Sequence, residues 1–202
     1  MNSDREQILG KVRAALAPLP QRAALPDWER ELVRMRQMQG VSDLVATFCA
    51  RLKSVNGTPL QSGAELTELL KKNGWTHGYC DPVLLPSLGA ALAGVQVETT
   101  YDRTRVDDYA FGITRATAAI AETGTVVLTD RDTSSRLAAL APWAHIVVLK
   151  RADIFPDIPA ALAALPADPN IIWVTGPSKT ADVEGILIEG VHGPGVQAVL
   201  LV

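Results

Sequence analysis

The sequence predicts an α/β fold with three layers, in which a mixed or parallel sheet is covered by helices on both faces. Strand-like and helix-like segments alternate from about residue 56 onward, as they do when helices cover a sheet. The unbroken branched run at residues 146–149 is typical of a parallel strand that is buried on both faces. With 202 residues, 48% of them hydrophobic, the chain can form one such domain with a sizeable core and an appendage.

The appendage is predicted to be an N-terminal helical arm of residues 1–54, joined to an α/β domain of residues 55–202. The apolar stripes that predict its helices are Ile8, Val12 and Leu16, then Trp28, Leu32 and Met35, then Leu44, Phe48 and Leu52. An amphipathic arm of this kind packs on its own domain or on a second subunit. A homo-oligomer formed through the arm is therefore one expectation.

The α/β domain opens with a helix whose ends are marked in the sequence. Ser62 and Glu65 form a capping box, and Gly74 ends the helix. The strands predicted after it are residues 75–80, 95–98, 118–121, 125–128, 146–149, 171–174 and 197–202, with those at 146–149 and 171–174 buried. Helices are predicted at residues 86–93, after the cap at residues 133–135, at 157–164 and after Gly176, and residues 101–109 are predicted to form a charged loop.

Composition excludes several classes of protein. The net charge is −3 and no basic patch is present, so the chain is not expected to bind nucleic acid. No apolar run approaches the roughly 20 residues of a membrane-spanning helix, and the polar N-terminus lacks a signal-peptide core, so a cytoplasmic protein is expected. The only cysteines, Cys49 and Cys80, lie far apart, and an iron–sulfur cluster needs four thiolates. Three histidines without paired spacing make no zinc motif, so no metal and no cofactor is predicted for this chain alone.

The first candidate site is the turn Glu122-Thr123-Gly124-Thr125 between two predicted strands. Gly124 permits a tight turn because it can adopt positive φ. The turn places a carboxylate beside two hydroxyls, and Glu122 can act there as a base or nucleophile or orient a ligand hydroxyl. The alternative is a hairpin in which Glu122 only caps local amides.

The second candidate site follows Gly176, where a strand is predicted to lead into a helix. Ser178 or Thr180 would cap that helix, Lys179 would add a positive charge, and free amides at a helix start favour an anion. Asp182 in the first turn would repel an anion and suits a ligand hydroxyl, a metal or a cationic group better. The alternative is an ordinary well-capped helix without a ligand.

Two further residues complete the set of candidates. His192 is held between Gly190 and Gly193-Pro194, where a lone imidazole can serve as acid, base or hydrogen-bond donor. Arg136, in the first turn of the helix after residue 135, is a candidate ligand-binding cation. His77 and His145 stand at strand starts and are expected to be structural.

Several segments together resemble the LUD-domain family. They are Ile113-Thr114, the residues from Ala118 to Leu128, Arg136-Leu137, Pro142 with His145 to Val148, Gly176 to Glu184, His192-Gly193-Pro194, and Val199 to Val202. The resemblance covers about residues 40–202. It implies a fold like that of the glucosamine-phosphate isomerase, ribose-phosphate isomerase and CoA-transferase group. Two positions depart from the family pattern: Thr117 stands where an acidic residue is frequent, and Lys179 where arginine is usual, which weakens bidentate recognition of a carboxylate.

The resemblance also implies a function, namely a subunit of a cytoplasmic system that oxidises L-lactate to pyruvate. Iron–sulfur clusters are then expected on partner proteins, and a small carboxylate such as lactate is the expected ligand of this chain. Two alternatives stay open. One is a free-standing enzyme of the isomerase or CoA-transferase type that uses Glu122, and the other is a metabolite-binding regulatory module.

Overall fold

The structure is a computed structural model that describes residues 4–18, 27, 38, 40–181 and 186–202. The chain divides into two compact units, Met1–Arg36 and Gln37–Val202. Helix α1, Asp4–Leu16, belongs to the first unit and buries none of its residues. The helix predicted from Trp28, Leu32 and Met35 lies outside the described residues.

The second unit contains the predicted α/β layers. Its helices are α2 (Leu44–Ser54), α3 (Gly63–Lys72), α4 (Leu85–Leu88), α5 (Arg136–Leu140) and α6 (Ile158–Ala164), with 3-10 turns at Pro82–Leu84, Arg103–Asp108 and Arg151–Asp153. Its strands are β1 (Thr58–Leu60), β2 (His77–Cys80), β3 (Gln96–Glu98), β4 (Phe111–Arg115), β5 (Ala118–Ile120), β6 (Thr125–Thr129), β7 (Ala144–Leu149), β8 (Ile154–Phe155), β9 (Ile171–Val174), β10 (Lys179–Ala181), β11 (Leu187–Glu189) and β12 (Val196–Leu201). The prediction of a mixed α/β fold with a parallel central sheet is confirmed.

The central sheet has six strands in the order β1-β12-β7-β4-β2-β3, and every pair in it is parallel. The run at residues 146–149 lies in β7, which is buried along its whole length as predicted. Strand β4, next to it, was not predicted. Gly112 in β4 lies directly against the backbone of Ala138 in α5, since a Cβ there would collide with the Ala138 carbonyl oxygen.

A second sheet of four strands, in the order β8-β5-β6-β9, was not anticipated. The predicted hairpin of β5 and β6 forms its centre. Residues 171–174 were predicted to be a buried strand, and this is wrong in part. They form β9, but among the described residues β9 is an edge strand paired with β6 alone, and Trp173 in it is 37% exposed.

Alternate residues of the central strands face two different core clusters, as expected for a sheet that is covered on both sides. Ile146 in β7 and Leu200 in β12 face the cluster that includes Leu66 of α3. Their neighbours Val147 and Val199 face the cluster that includes Phe48 and Leu52 of α2 and Val126 and Leu128 of the second sheet. Helix α2, grouped with the arm from the sequence, therefore contributes to the core of the second unit.

The helix predicted after Gly176 does not begin where the sequence suggested. Residues 179–181 form β10 instead, which pairs antiparallel with β11 and sets Thr180 opposite Ile188. The amide of Ser178 is not free to hold an anion, because it donates to the Pro194 carbonyl. Asp182 lies outside the described residues.

Candidate functional site

A cavity of about 220 Å³ lies between the amino ends of β7 and β12 and the carboxyl end of β9. Its lining consists of residues 139–140, His145, residues 172–178, residues 192–194 and Gln197. The cavity is smaller than the roughly 300–1,000 Å³ of sites for drug-sized ligands, so it suits a molecule of a few heavy atoms. It lies at the amino end of the central sheet and at the carboxyl end of β9, the strand that leads into the second candidate site.

Two of the predicted residues, Ser178 and His192, line this cavity together. Backbone hydrogen bonds bring their two segments side by side: the Ser178 amide donates to the Pro194 carbonyl at 2.8 Å, and the Gly190 amide donates to the Ser178 carbonyl at 2.9 Å. The close approach requires a small residue at 193, where an added Cβ would lie 3.3 Å from the Ser178 Cβ. The hydroxyl and the imidazole are therefore placed by a fixed backbone.

His145 forms part of the cavity wall, although the sequence suggested only a structural role for it. The side chain is 1% exposed, and its Nε2 lies 2.9 Å from the Thr114 hydroxyl. Burial lowers the pKa of His145 from the ordinary 6.5 to about 3, because a charged imidazole would lose its hydration there. The group is therefore a neutral hydrogen-bonding partner at neutral pH.

Gln197 was not a candidate from the sequence, yet it is the most unusual polar group of the cavity. It is 1% exposed, and neither its Oε1 nor its Nε2 has a hydrogen-bond partner among the described residues. A buried polar group left unpaired costs about 1–3 kcal/mol. Gln197 is also the only polar residue of β12, and that isolation among apolar neighbours is the sequence feature that could have revealed it.

His145 and Gln197 are register partners on adjacent parallel strands, so their side chains lie on the same face of the central sheet. Gly112 is the register partner of His145 on the other side, in β4. The sheet thus presents an imidazole and a carboxamide side by side at the floor of the cavity, while Ser178 and His192 come from loops. This arrangement can bind a small polar molecule through several hydrogen-bonding groups.

The neutral His145 predicts an acid-dependent loss of stability. Below about pH 6.5 the unfolded chain binds a proton on this imidazole, and the folded chain does not until the pH nears 3. Acid therefore favours unfolding over that interval, by roughly 1.4 kcal/mol per pH unit from this group alone. We expect the free energy of unfolding, measured by urea denaturation from pH 7 to pH 4, to fall more steeply for the wild type than for His145→Gln. Equal slopes would show that this imidazole is protonated in the folded chain.

Glu122 does not line the cavity, although its turn comes close to it. The turn is linked to the cavity by hydroxyls, since Thr123 Oγ1 lies 2.6 Å from Thr125 Oγ1, which lies 2.7 Å from Oγ1 of the cavity residue Thr175. Glu122 itself is half-buried, and its amide donates to the Pro156 carbonyl. Hydroxyls thus connect the turn to the cavity, while Glu122 is not among the residues that line it.

The other described candidates, Lys179, Thr180 and Arg136, do not line the cavity. Lys179 donates from Nζ to the carbonyl of Val55, which ends α2, at 3.2 Å and lies 3.7 Å from Glu189. Thr180 is paired within the small hairpin. Arg136 is exposed and forms an ion pair with Asp130 at 2.9 Å. These two cations therefore stabilise local structure rather than line this cavity.

No metal-binding cluster of three or more His, Cys, Asp or Glu side chains occurs among the described residues. Both cysteines are free thiols, Cys49 half-buried and Cys80 buried. Burial raises the pKa of Cys80 to about 12, with a smaller contribution from Asp81, so it stays protonated at neutral pH. In the described part of the chain, no helix is long and apolar enough to span a bilayer.

These features define an α/β protein with a small, partly polar cavity between two sheets. A model of the LUD domain family matches residues 45–202, and the chain belongs to that family. The resemblance seen in the sequence is thereby confirmed.

Several curated proteins are similar to part of this chain. A lactate utilization protein C from Bacillus licheniformis is 35% identical over 106 residues, which is 48% of this chain and 44% of that protein. A protein of the same name from Deinococcus radiodurans is 35% identical over 95 residues, which is 45% of each chain. Another from Exiguobacterium is 40% identical over 91 residues, which is 41% of this chain and 40% of that protein. The chain thus matches less than half the length of these relatives.

A solved structure shares the fold. It is a crystal structure of a DUF162 family protein from Deinococcus radiodurans, with a TM-score of 0.59 and 24% sequence identity. The superposition covers 79% of this chain and 96% of the other. It supports the arrangement of strands and helices and carries no information about a ligand.

Proposed function

We propose that this chain is a subunit of a cytoplasmic system that oxidises L-lactate to pyruvate, and that it acts with iron–sulfur partner proteins. The name of its relatives, lactate utilization protein C, supports a role in the use of lactate. The cavity supports a direct role in handling the small acid. We place the ligand there, with its carboxylate near Ser178 and His192.

The observation that carries this proposal is the combination of size and chemistry in the cavity. A three-carbon acid needs a small site with a few convergent polar groups and apolar walls. The hydroxyl of Ser178 and the imidazole of His192 supply polar groups at the loops, and side chains such as Ile172 and Leu140 supply apolar surface for a methyl group. No lysine or arginine lines the cavity among the described residues, so we expect weak binding, around millimolar.

The need for partner proteins follows from the electrons that lactate oxidation releases. Oxidation of lactate to pyruvate removes two electrons and two protons, which an acceptor must take. A cluster needs four thiolates, and this chain has two cysteines far apart. We therefore assign iron–sulfur clusters to partner proteins, and we expect the purified chain to be colourless.

Deleting the gene in the source organism should abolish growth on L-lactate while leaving growth on pyruvate intact, because only the oxidation step is removed. The wild-type gene should restore growth, and the double variant Ser178→Ala/His192→Gln should not. Gln96→Leu, an exposed change in β3, serves as the control and should restore growth. Unimpaired growth of the deletion strain on L-lactate would refute the proposed role. Growth restored by the double variant would show that Ser178 and His192 of the cavity are not needed for lactate oxidation.

A further inference from the structure

We propose that Gln197 is the residue that makes the cavity specific for a 2-hydroxy acid over the corresponding 2-keto acid. The inference rests on the proposed function, since it concerns which member of the lactate–pyruvate pair this cavity binds. It assigns a role to a side chain that otherwise lies unexplained at the start of β12.

The position of Gln197 argues for a ligand rather than for a structural role. A structural glutamine in a core strand finds partners for its amide, as buried polar groups almost always do. Gln197 is 1% exposed and pairs with no described protein group through either Oε1 or Nε2. Its neighbours Ala198 and Val199 are fully buried and apolar, so an apolar residue would suit the strand better.

The orientation of the side chain is fixed by the sheet. Gln197 and His145 are register partners, so both project from the same face of the central sheet, and both line the cavity. His145 is in turn held by Thr114, whose hydroxyl lies 2.9 Å from Nε2. Gln197 thus lies in the cavity wall beside a fixed neutral ring, with its carboxamide buried.

The hydrogen-bonding capacity of a carboxamide selects the ligand class. Oε1 only accepts and Nε2 only donates. A 2-hydroxy acid can donate its hydroxyl hydrogen to Oε1 and accept from Nε2 through a carboxylate oxygen. A 2-keto acid has only acceptors, so it leaves Oε1 buried and unpaired. Sites that bind a substrate hydroxyl in this way discriminate strongly against analogues that lack it, because the buried group of the protein is left without a partner.

Titration calorimetry of the full chain with L-lactate, pyruvate and propionate tests the inference. We expect L-lactate to bind at least about tenfold more tightly than pyruvate or propionate. Gln197→Leu should lower L-lactate binding to the pyruvate level. Its melting temperature should equal or exceed that of the wild type, because the change removes an unpaired buried amide. Gln96→Leu, at an exposed position, should keep the wild-type preference.

The possible outcomes separate this inference from the proposed function. Equal binding of L-lactate and pyruvate by the wild type would overturn the role of Gln197. The same holds if none of the three acids binds. A preference retained by Gln197→Leu would also overturn it, and Gln197→Met gives the same comparison if the leucine variant does not fold. Each of these results would leave the growth phenotype of the deletion strain, which tests the proposed function, unaffected.

Discussion

Gly124→Ala is expected to destabilise the second unit by about 2–5 kcal/mol, a large part of the stability of a typical domain. The backbone of Gly124 has φ +68°, a left-handed conformation that costs an alanine roughly 1–2 kcal/mol. A Cβ there would also lie 2.5 Å from the Leu52 amide nitrogen and 2.7 Å from the Arg51 carbonyl carbon. These are backbone atoms of α2 that cannot rotate away, so overpacking adds a further cost of about 1–3 kcal/mol.

Gly74→Ala is the matched control for that change. Gly74 ends α3 with φ +65°, nearly the same backbone conformation, but an added Cβ would meet no atom within 4 Å. It should therefore show only the conformational cost. Chemical denaturation of the two variants beside the wild type measures the difference. Equal destabilisation would mean that the hairpin turn does not lie against α2 as described.

The contrast between these two glycines shows what the sequence could reveal about the turn. The prediction that Gly124 permits a tight turn followed from its position between two strand-like runs, and the hairpin is confirmed. Its contact with Arg51 and Leu52 joins segments about 70 residues apart. No local sequence pattern predicts this contact between the Gly124 turn and α2, because it arises only when the second sheet packs on α2.

Most helices and strands of the second unit were predictable because their signals are local. Ser62, Ser135 and Asp157 each accept a backbone hydrogen bond at a helix start. The strand β4 was missed because Gly112 separates its two apolar residues, and Thr114 and Arg115 follow them, so no apolar run marks it. The helix predicted after Gly176 was wrong because capping residues and β-hairpin residues overlap, and pairing with β11 decides between them.

From the sequence, the residues of the candidate site were predicted only in its loops. Ser178 and His192 stand in glycine- and proline-rich segments that attract attention in any sequence, and the structure brings them together. His145 and Gln197 lie inside strands that are otherwise apolar, where a single polar residue has no periodic signature. Their meaning depends on register, which sets the two side chains next to each other.

A buried ion pair was also missed, and it lies at the opposite end of the central sheet. Asp81 follows β2 and is fully buried, and one of its carboxylate oxygens accepts from Arg115 Nε, at the end of β4, at 2.7 Å. The other oxygen accepts from the Val83 amide at 2.9 Å. Asp81 and Arg115 are 34 residues apart, and the parallel pairing of β2 with β4 brings them together.

Arg115→Gln is expected to destabilise the second unit by about 3–5 kcal/mol, because it leaves the Asp81 carboxylate buried without its cation. Asp81→Asn should cost less, since Arg115 is 33% exposed and can be hydrated, and the asparagine oxygen can still accept from Val83. The double variant Asp81→Asn/Arg115→Gln should be more stable than Arg115→Gln alone, because it removes the unpaired charge. Guanidinium denaturation of the four proteins at pH 7 gives the coupling energy. Strictly additive effects would mean that the two side chains do not interact, and a double variant less stable than Arg115→Gln would mean that the unpaired carboxylate is not the source of the cost.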